Sequence, residues 1–415
     1  MTTQLPYPRS AAPVGARRLL AAPDPSLAAH LACYGQQPPQ RDSAALIAAV
    51  VAAGLRGRGG AGFPVARKLA AVAAGRRAIV IANGAEGEPD SHKDATLLTR
   101  APHLVLDGLS AAAAAVGARE CHLYAPAPLL EPVRRALDER TASGYDRTRV
   151  EITTAADGFL AGEKTAVINR LAGRAPIPSD QLISTSQAGL RGRPTLIQNV
   201  ETLAHLALIA RYGPRWYRGA GTGDEPGTML VTLSGTAVTG VVEAEFGCSL
   251  TDLIENAGKT DLAGVRAVLI GGYHGSWIPR AALHRATLAT ATLRPLHASL
   301  GAGVVRVLSR TECGLRATAD ITAYLAAQSA GRCGPCRNGL PQLAARLTEL
   351  AYGPAGDPSE IARLAGLVDG RGACHHPDGT ARLVRSALTV FADDLAPHLR
   401  GACHASARTR ETVPR

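Results

Sequence analysis

The residues best suited to chemistry in this chain are thiols. Cys333 and Cys336 stand three apart in SAGRCGPCRNG, flanked by glycines and followed by Arg337, and Cys374 comes 38 residues later in GRGACHHPD. Thiolate sulfur is the ligand that iron–sulfur clusters and zinc share, so two cysteines three apart look like half of a metal or cluster site, and a full site needs further thiolates from elsewhere in the chain.

A second feature is GLRGRGGAGFP at 54–64, where Gly57, Gly59 and Gly62 fit the pattern G-x-G-x-x-G. A Rossmann loop follows a strand, whereas this one follows a helix-forming stretch, and Phe63-Pro64 stand where a P-loop needs Lys and Ser or Thr. Dense glycine still lets backbone N–H groups approach a phosphate or a flat ring. Arg56, Arg58 and Lys68 add positive charge, so a ligand loop is expected rather than a plain linker. The third feature is the run AIVIAN passing into GAEGEPDSHKD. Ligands of doubly wound sheets sit beyond the carboxyl ends of strands. Asn83, Glu86 and Glu88 would line such a crevice, and carboxylates bind the hydroxyls of a ribose or ribityl chain strongly. A solvated acidic turn is the alternative.

The elements that must position these residues alternate in type. Helical stretches from Ser43 to Gly54 and over VARKLAAVAAG bracket the glycine loop, and AIVIAN has the compact apolar character of a buried strand. A helix from His103 to Gly117, a strand at CHLYAP, a helix from Leu130 to Glu139 and a strand at VEITTA follow. This order predicts an α/β domain with a mostly parallel sheet covered on both faces, over residues 27–215. TMLVTLSG, GVVEAEFGCSLTDLIENAG and VRAVLIGGYHGSWI predict a small α+β unit of short strands around one helix, at 225–300. Nearly everything from Thr318 to Leu399 reads as helix, giving a helical unit at 310–400, and 401–415 reads as a loose tail. No internal repeats are seen.

Composition narrows the function classes. Of 45 basic residues only Lys68, Lys93, Lys164 and Lys259 are lysines, and aromatics make up 4%. Nucleic-acid proteins cluster basic residues with aromatics for stacking; here the arginines are scattered, so the +11 charge does not point to nucleic acid. Eight cysteines in 415 residues are too sparse for a secreted disulfide scaffold. The N-terminal MTTQLPYPRSAAPVGARRLL lacks the apolar core of a signal peptide, and ALIAAVVAAGL is far short of the ~20 residues that span a bilayer. A cytoplasmic protein without direct membrane insertion is expected.

Together these stretches resemble one family: the NADH-oxidising flavoprotein subunit of respiratory complex I and its diaphorase relatives in NAD-reducing hydrogenases and formate dehydrogenases. The resemblance covers roughly residues 27–400. It rests on GLRGRGGAGFP, NGAEGEPDSHKD, AGEKTAVINRLAG at 161–173, GRPTLIQNVETLA at 192–204, LSGTAVTGVVEAEFG and CGPCRNG at 333–339. It implies an FMN-holding α/β domain, a ubiquitin-like β-grasp domain and a C-terminal helical bundle carrying a four-iron cluster. Gly57, Arg58, Gly59 and Gly60 match the loop facing flavin and nicotinamide, Phe63 the aromatic on the adenine side, and Lys68 the nearby lysine. Asn83, Glu86 and Glu88 match flavin and ribose ligands, and a carboxylate at Glu88 repels the 2′-phosphate of NADPH. Gly162 and Glu163 match the next flavin-facing turn, and Gln198 and Asn199 the last. Cys333, Cys336 and Cys374 match three of the four cluster ligands. The resemblance thus implies a four-iron cluster with a non-cysteine fourth ligand or a three-iron cluster lacking one corner, with a zinc site closed by a histidine and inert thiols left from a lost cluster as alternatives. His375, His376, Cys313 and Cys403 are the candidates for the missing ligand, and we expect a retained cluster.

The chain departs from that pattern at several places. Ala330 stands where relatives carry the first cluster cysteine, Ala85 replaces an aspartate, Lys164 a second glutamate, Phe159 a tyrosine, Gln198 an asparagine and Ala71 a second aromatic. The implied activity is hydride transfer from NADH to FMN, with no side-chain nucleophile. Single electrons then pass through an iron–sulfur cluster (four-iron, three-iron or lost) to a ferredoxin or a thioredoxin-like iron–sulfur protein, or into a quinone-reducing membrane complex through other subunits. The alternative is a rewired electron-transfer or scaffold relative that binds FMN or a cluster without using NADH.

Overall fold

The structure, a computed structural model, describes residues 17–39, 42–145, 148–180, 183–353, 356–403 and 405. The signal-peptide reading and most of the expected tail lie outside these residues. At the centre of the first half is β1 (Ile79–Asn83), an apolar strand in a four-stranded, all-parallel sheet. With β2 (Glu120–Ala125), β3 (Val150–Thr154) and β4 (Thr195–Asn199) its order is β3-β2-β1-β4. Successive side chains of a strand point to opposite faces. Val80 and Ala82 accordingly join Leu123 and Leu196 in the larger core, while Ile79 and Ile81 join Tyr124 and Val167 in a smaller one. A sheet buried on both faces reads as continuous apolar runs, which is why β1 and β2 are visible in the sequence.

The helices around it are α1 (Leu27–Tyr34), α2 (Ser43–Ala53), α3 (Val65–Ala73), α4 (Lys93–Arg100), α5 (Pro102–Val116), α6 (Ala127–Ala142), α7 (Lys164–Leu171) and α8 (Val200–Tyr217). Gly54 ends α2 in the left-handed conformation, φ 72°, its N–H bonding back to the Val50 and Val51 carbonyls. The glycine loop therefore starts from a fixed point. Gly108 lets α5 lie directly on α8, because a Cβ there would stand 1.9 Å from the Leu203 carbonyl oxygen. Gly213 breaks α8 ahead of Pro214.

A second, mixed sheet combines β5 (Thr228–Ser234), β6 (Gly240–Glu245), β7 (Val265–Ile270), β8 (Ser276–Pro279) and β9 (Val304–Ser309) in the order β6-β5-β9-β7-β8. The β5–β9 pair is parallel and the other pairs antiparallel. The expected boundary at residue 300 is too early, since β9 is the central strand of this sheet. Its run VVRVLS is buried on both sides and lacks the alternation that marks a half-exposed strand. The one helix expected here is short: α9 (Leu250–Asp252) runs into a widened turn at 253–257, and α10 (Thr290–Leu293) adds a single further turn.

The remaining helices are α11 (Gly314–Ala327), α12 (Leu340–Tyr352), α13 (Pro358–Val368), α14 (His376–Val390) and α15 (Ala392–Leu399). Arg316 near the start of α11 donates to the Ala351 carbonyl at the end of α12, so the two run antiparallel. Trp277 ties β8 to this bundle, its backbone N–H donating to Ser386 at 2.9 Å and its indole N–H to Thr318 at 2.9 Å. Among the described residues no helix is long and apolar enough to cross a membrane.

Candidate functional site

Parallel pairing sets Asn83, at the carboxyl end of β1, in register with Asn199, at the end of β4. Neighbouring strands lie about 4.8 Å apart, so the two amides stand side by side at the sheet edge where ligands of such folds bind. Asn83 Nδ2 donates to the Gly162 carbonyl at 2.9 Å, and its Oδ1 accepts from the Ala85 N–H at 3.2 Å. One side chain thereby joins the acidic turn to the turn before α7. The two turns touch backbone to backbone: a Cβ on Gly87 would meet the Phe159 carbonyl oxygen at 2.1 Å, and one on Gly162 the Ala85 carbonyl oxygen at 2.5 Å.

Between these turns and the glycine loop opens a crevice of about 590 Å³. Arg58, Gly59 and Gly60 line it from the loop, Asn83, Glu86 and Glu88 from the acidic turn, and Gly162 and Asn199 from the other strand ends. Its remaining walls come from elsewhere in the chain, including Gly271 and His274 after β7, Gly301 before β9, and His375 and Arg382 of the helical region. The volume lies in the roughly 300–1,000 Å³ range of small-molecule sites. Gly60 takes φ 103° and Gly59 stands with its would-be Cβ 3.4 Å from Asn199 Cβ, so the loop offers bare backbone to the crevice. Such a cradle fits a flat ring system.

The floor is charged. Lys93, buried at the start of α4, lies 2.6 Å from Asp94 and 3.2 Å from Glu201. Burial alone would favour the neutral amine, but these two carboxylates outweigh it and hold the Lys93 pKa above its ordinary value. Asn199 saturates its amide here, donating to Asp94 at 2.6 Å and accepting from the Glu201 N–H at 3.0 Å as the N-cap of α8. Glu86 accepts from Ser91 Oγ and from the Asp94 N–H; burial, with Asp94 adding to it, pushes its pKa up to about 7. Glu88 is also raised to about 7 by burial, although it accepts N–H bonds from Tyr273 at 2.7 Å and Asp90 at 3.3 Å.

Some expected ligand residues also do structural work. Arg58 donates to the Thr228 and Arg56 carbonyls and to the Tyr217 hydroxyl, lying over the Phe246 ring at 4.4 Å; it anchors the loop from beneath. Glu163 caps α7 by accepting from the N–H groups of Thr165 (2.7 Å) and Ala166 (3.1 Å). Gln198 is buried within β4 away from the crevice lining, its Nε2 without a hydrogen-bond partner. Gly57 lines an adjoining chamber of about 280 Å³. Phe63 is 44% exposed, with Lys68 Nζ 5.8 Å from its ring centroid. The pKa of Lys68 lies below its ordinary value, first because of burial and then because of the like charge on Lys164. Lys164→Gln is accordingly expected to raise the Lys68 pKa, read as slower acylation of Lys68 at neutral pH by mass spectrometry; an unchanged rate would remove Lys164 as a cause.

A third chamber, about 510 Å³, reaches Cys374. Gly59, Phe159, Gly162, His274 and His375 line both this chamber and the crevice. The Phe159 ring packs edge-on against His274 at 4.6 Å, and His274 Nε2 meets His376 Nδ1 at 3.0 Å. The three cysteines converge from the turn before α12 and the turn before α14. Burial, then the nearby Cys333 and Cys374, push Cys336 up to about 12. Burial also acts on Cys333, but hydrogen bonds led by the Ala373 N–H outweigh it and hold that thiol below its ordinary value. Mutual proximity and N–H donors on sulfur are what a cluster needs.

The expected substitutes for the missing ligand divide. His376 has both ring nitrogens engaged, with His274 and with the Leu325 carbonyl at 2.8 Å. Cys313 and Cys403 lie with His398 at the start of α11, the end remote from Cys333. His375 is exposed beside Cys374, its Nδ1 2.9 Å from Asp378. The motifs alone did not single out Lys93, Asp94, Glu201, His274 and Arg382. Lys93 lies within NGAEGEPDSHKD and Glu201 within GRPTLIQNVETLA, and a lysine in so lysine-poor a chain was the available clue.

Comparison with known proteins accords with this geometry. The Nuo51 FMN-binding domain family matches residues 50–208, and the NADH-ubiquinone oxidoreductase-F iron-sulfur binding region matches residues 316–398. An NADH-quinone oxidoreductase F subunit of Rhizobium meliloti is 33% identical over 364 residues, 83% of this chain and 86% of the relative. This chain belongs to the family of NADH-quinone oxidoreductase F subunits. An F-subunit relative from Mycobacterium tuberculosis is 31% identical over 393 residues, covering 86% of this chain and 85% of its own length. Among solved structures, the NAD+-reducing NiFe-hydrogenase in its air-oxidized state aligns with a TM-score of 0.80 at 31% identity, over 88% of this chain. This F-family chain spans 64% of the length of that hydrogenase chain.

Proposed function

We propose that this chain is an NADH dehydrogenase-type flavoprotein that passes electrons from NADH through FMN and an iron–sulfur cluster to a partner protein. The observation that carries this is the shared wall: the glycine-lined crevice and the chamber reaching Cys374 meet at Phe159, Gly162 and His274. FMN supplies hydride acceptance and one-electron release, and the cluster supplies a one-electron relay. The chain's own residues bind and orient. Gly59, Gly60 and Gly162 present flat backbone to the ring, while Asn83 and Asn199 fix the strand ends beside it. Glu86 and Glu88 would bind the sugar hydroxyls, and Cys333, Cys336 and Cys374 would hold the cluster. The unit at 27–215 is the FMN- and NADH-binding domain. The second unit, extended to Ser309, is the β-grasp-like domain, supported by its parallel β5–β9 pair within a mixed sheet, and 310–400 is the cluster domain.

A ferredoxin or a thioredoxin-like iron–sulfur protein is the acceptor we propose, with peripheral membrane association through further subunits. An anaerobic preparation is expected to carry flavin and iron–sulfur absorbance that bleaches on addition of NADH, with a cluster signal appearing by electron paramagnetic resonance. A colourless protein, or one inert to NADH, would remove the reading. A second reading, a relay that binds FMN but not NADH, is favoured by Lys164 beside Lys68 and by Ala330; an equilibrium titration showing no NADH affinity up to millimolar would select it.

Glu88 gives this reading a pH dependence. Its pKa is raised to about 7, so the carboxylate is largely protonated in mild acid and ionised above pH 7. Only the ionised form repels a 2′-phosphate, so preference for NADH over NADPH should rise between about pH 6 and 8. The check is the ratio of kcat/KM values across that range; Glu88→Gln should flatten it. The same raised pKa means that burying Glu88 favours the folded state most at low pH, and this contribution is lost as pH rises through about 7.

A further inference from the structure

One group of ligating side chains lies outside this machinery. Cys313, His398 and Cys403 each aim a buried donor atom at a common point, and these atoms all lie within 4.8 Å of one another. Cys313 is the N-cap of α11, His398 sits in the last turn of α15, and Cys403 follows the left-handed turn at Gly401. The Cys313 sulfur is 3.3 Å from His398 Nε2. Around a tetrahedral zinc with Zn–S about 2.3 Å and Zn–N about 2.0–2.1 Å, sulfur and nitrogen ligands stand about 3.5 Å apart.

The histidine is prepared for this. Its other nitrogen, Nδ1, lies 3.2 Å from the Leu350 carbonyl oxygen. A carbonyl only accepts, so Nδ1 carries the proton and Nε2 turns its lone pair toward the two sulfurs. An outer carbonyl fixing the tautomer is the usual support of a metal-bound histidine. The Cys313 sulfur also accepts the Arg316 N–H at 3.5 Å, within the positive end of a 14-residue helix, which favours thiolate. Burial works the other way and pushes the free Cys313 thiol up to about 11, a cost that a coordinated divalent ion overrides by deprotonating its thiol ligands.

We infer that Cys313, His398 and Cys403 form a mononuclear zinc site, with solvent as fourth ligand, that fastens the C-terminal segment to the start of α11. Two thiolates and an imidazole in close tetrahedral spacing suit a borderline-soft divalent ion and leave too little room for a cluster. The site is separate from the three-cysteine group. Cys313 begins α11, whereas Cys333 lies six residues beyond its end, and a 14-residue helix is about 21 Å long. Binding at these residues needs no electron or group transfer; two thiol protons are released as the ion enters.

The test is metal analysis of the full-length protein after dialysis against a weak chelator, for the native chain and three variants. Native protein is expected to hold about one zinc per chain. Cys403→Ser and His398→Gln are expected to lose it, while Cys336→Ser keeps it as it loses iron. Cobalt-loaded native protein should show thiolate-to-metal charge-transfer absorption that Cys403→Ser lacks. X-ray absorption at the zinc edge of the native protein should give mixed sulfur and nitrogen ligation, a readout independent of whether any variant folds. No zinc in the native chain, zinc lost with Cys336→Ser but kept in Cys403→Ser, or a Cys313–Cys403 disulfide in the peptide map of protein purified under reducing conditions would each overturn the assignment.

Discussion

Gly87→Ala is expected to leave the purified chain without flavin. The added Cβ would stand 2.1 Å from the Phe159 carbonyl oxygen, 0.9 Å inside the 3.0 Å that real Cβ contacts respect. The opposing atoms are backbone, so no rotamer change relieves the clash, and one turn must retreat from the other. The acidic turn is tethered by Asn83 to Gly162, so that retreat misplaces Glu86, Glu88 and the crevice wall together. Overpacking of this kind costs about 1–3 kcal/mol, and a ligand cradle misplaced by roughly 1 Å loses most of its function. The measurement is flavin per chain after desalting, with a thermal melt to show that the fold survives. Gly264→Ala, which meets nothing within 4 Å, should keep its flavin. Full flavin content in Gly87→Ala would contradict the crevice as the flavin site.

Cys336→Ser should abolish bound iron while leaving flavin in place. Cys336 is buried in the core formed by α11 to α14, 3% exposed, and does not line the crevice. A serine hydroxyl at neutral pH does not replace a thiolate on iron. Iron is expected to fall from about three or four per chain to near zero. The reciprocal change, Ala330→Cys, adds the thiol missing from the fourth corner and should raise iron content and remove any three-iron signal. If Cys336→Ser retained its iron, the cluster assignment would fail; if it lost flavin as well, the two sites would not be independent.

The strands and most helices of the first half were legible because local chemistry and burial agree there. AIVIAN is a buried parallel strand and reads as one; Gly54 ends its helix as glycine does. The second sheet was legible only as short strands, because β9 pairs with β5 across 72 residues and no local pattern shows a long-range pairing. At the site, several motif residues line one crevice, but the hydrogen-bond partners of their side chains were not readable. Arg58 looked like ligand charge, and its role in holding the loop through Thr228 and Tyr217 was not visible. Glu163 looked like a ligand and caps α7. Lys93 was passed over because a buried lysine is recognised only by its carboxylate partners, and Glu201 is 108 residues away in sequence.

The crevice draws its walls from distant stretches of chain: the glycine loop, the ends of the parallel sheet, the loops flanking β7 and β9, and the start of α14. Whatever occupies it therefore bridges parts of the chain that are far apart in sequence. A ligand at 100 times its dissociation constant adds about 2.7 kcal/mol to stability, and here that gain falls on the joints rather than on any one core. Residues in 271–274 and 299–302 line the crevice, so an occupant is expected to slow proteolysis there, read by limited digestion with and without added FMN.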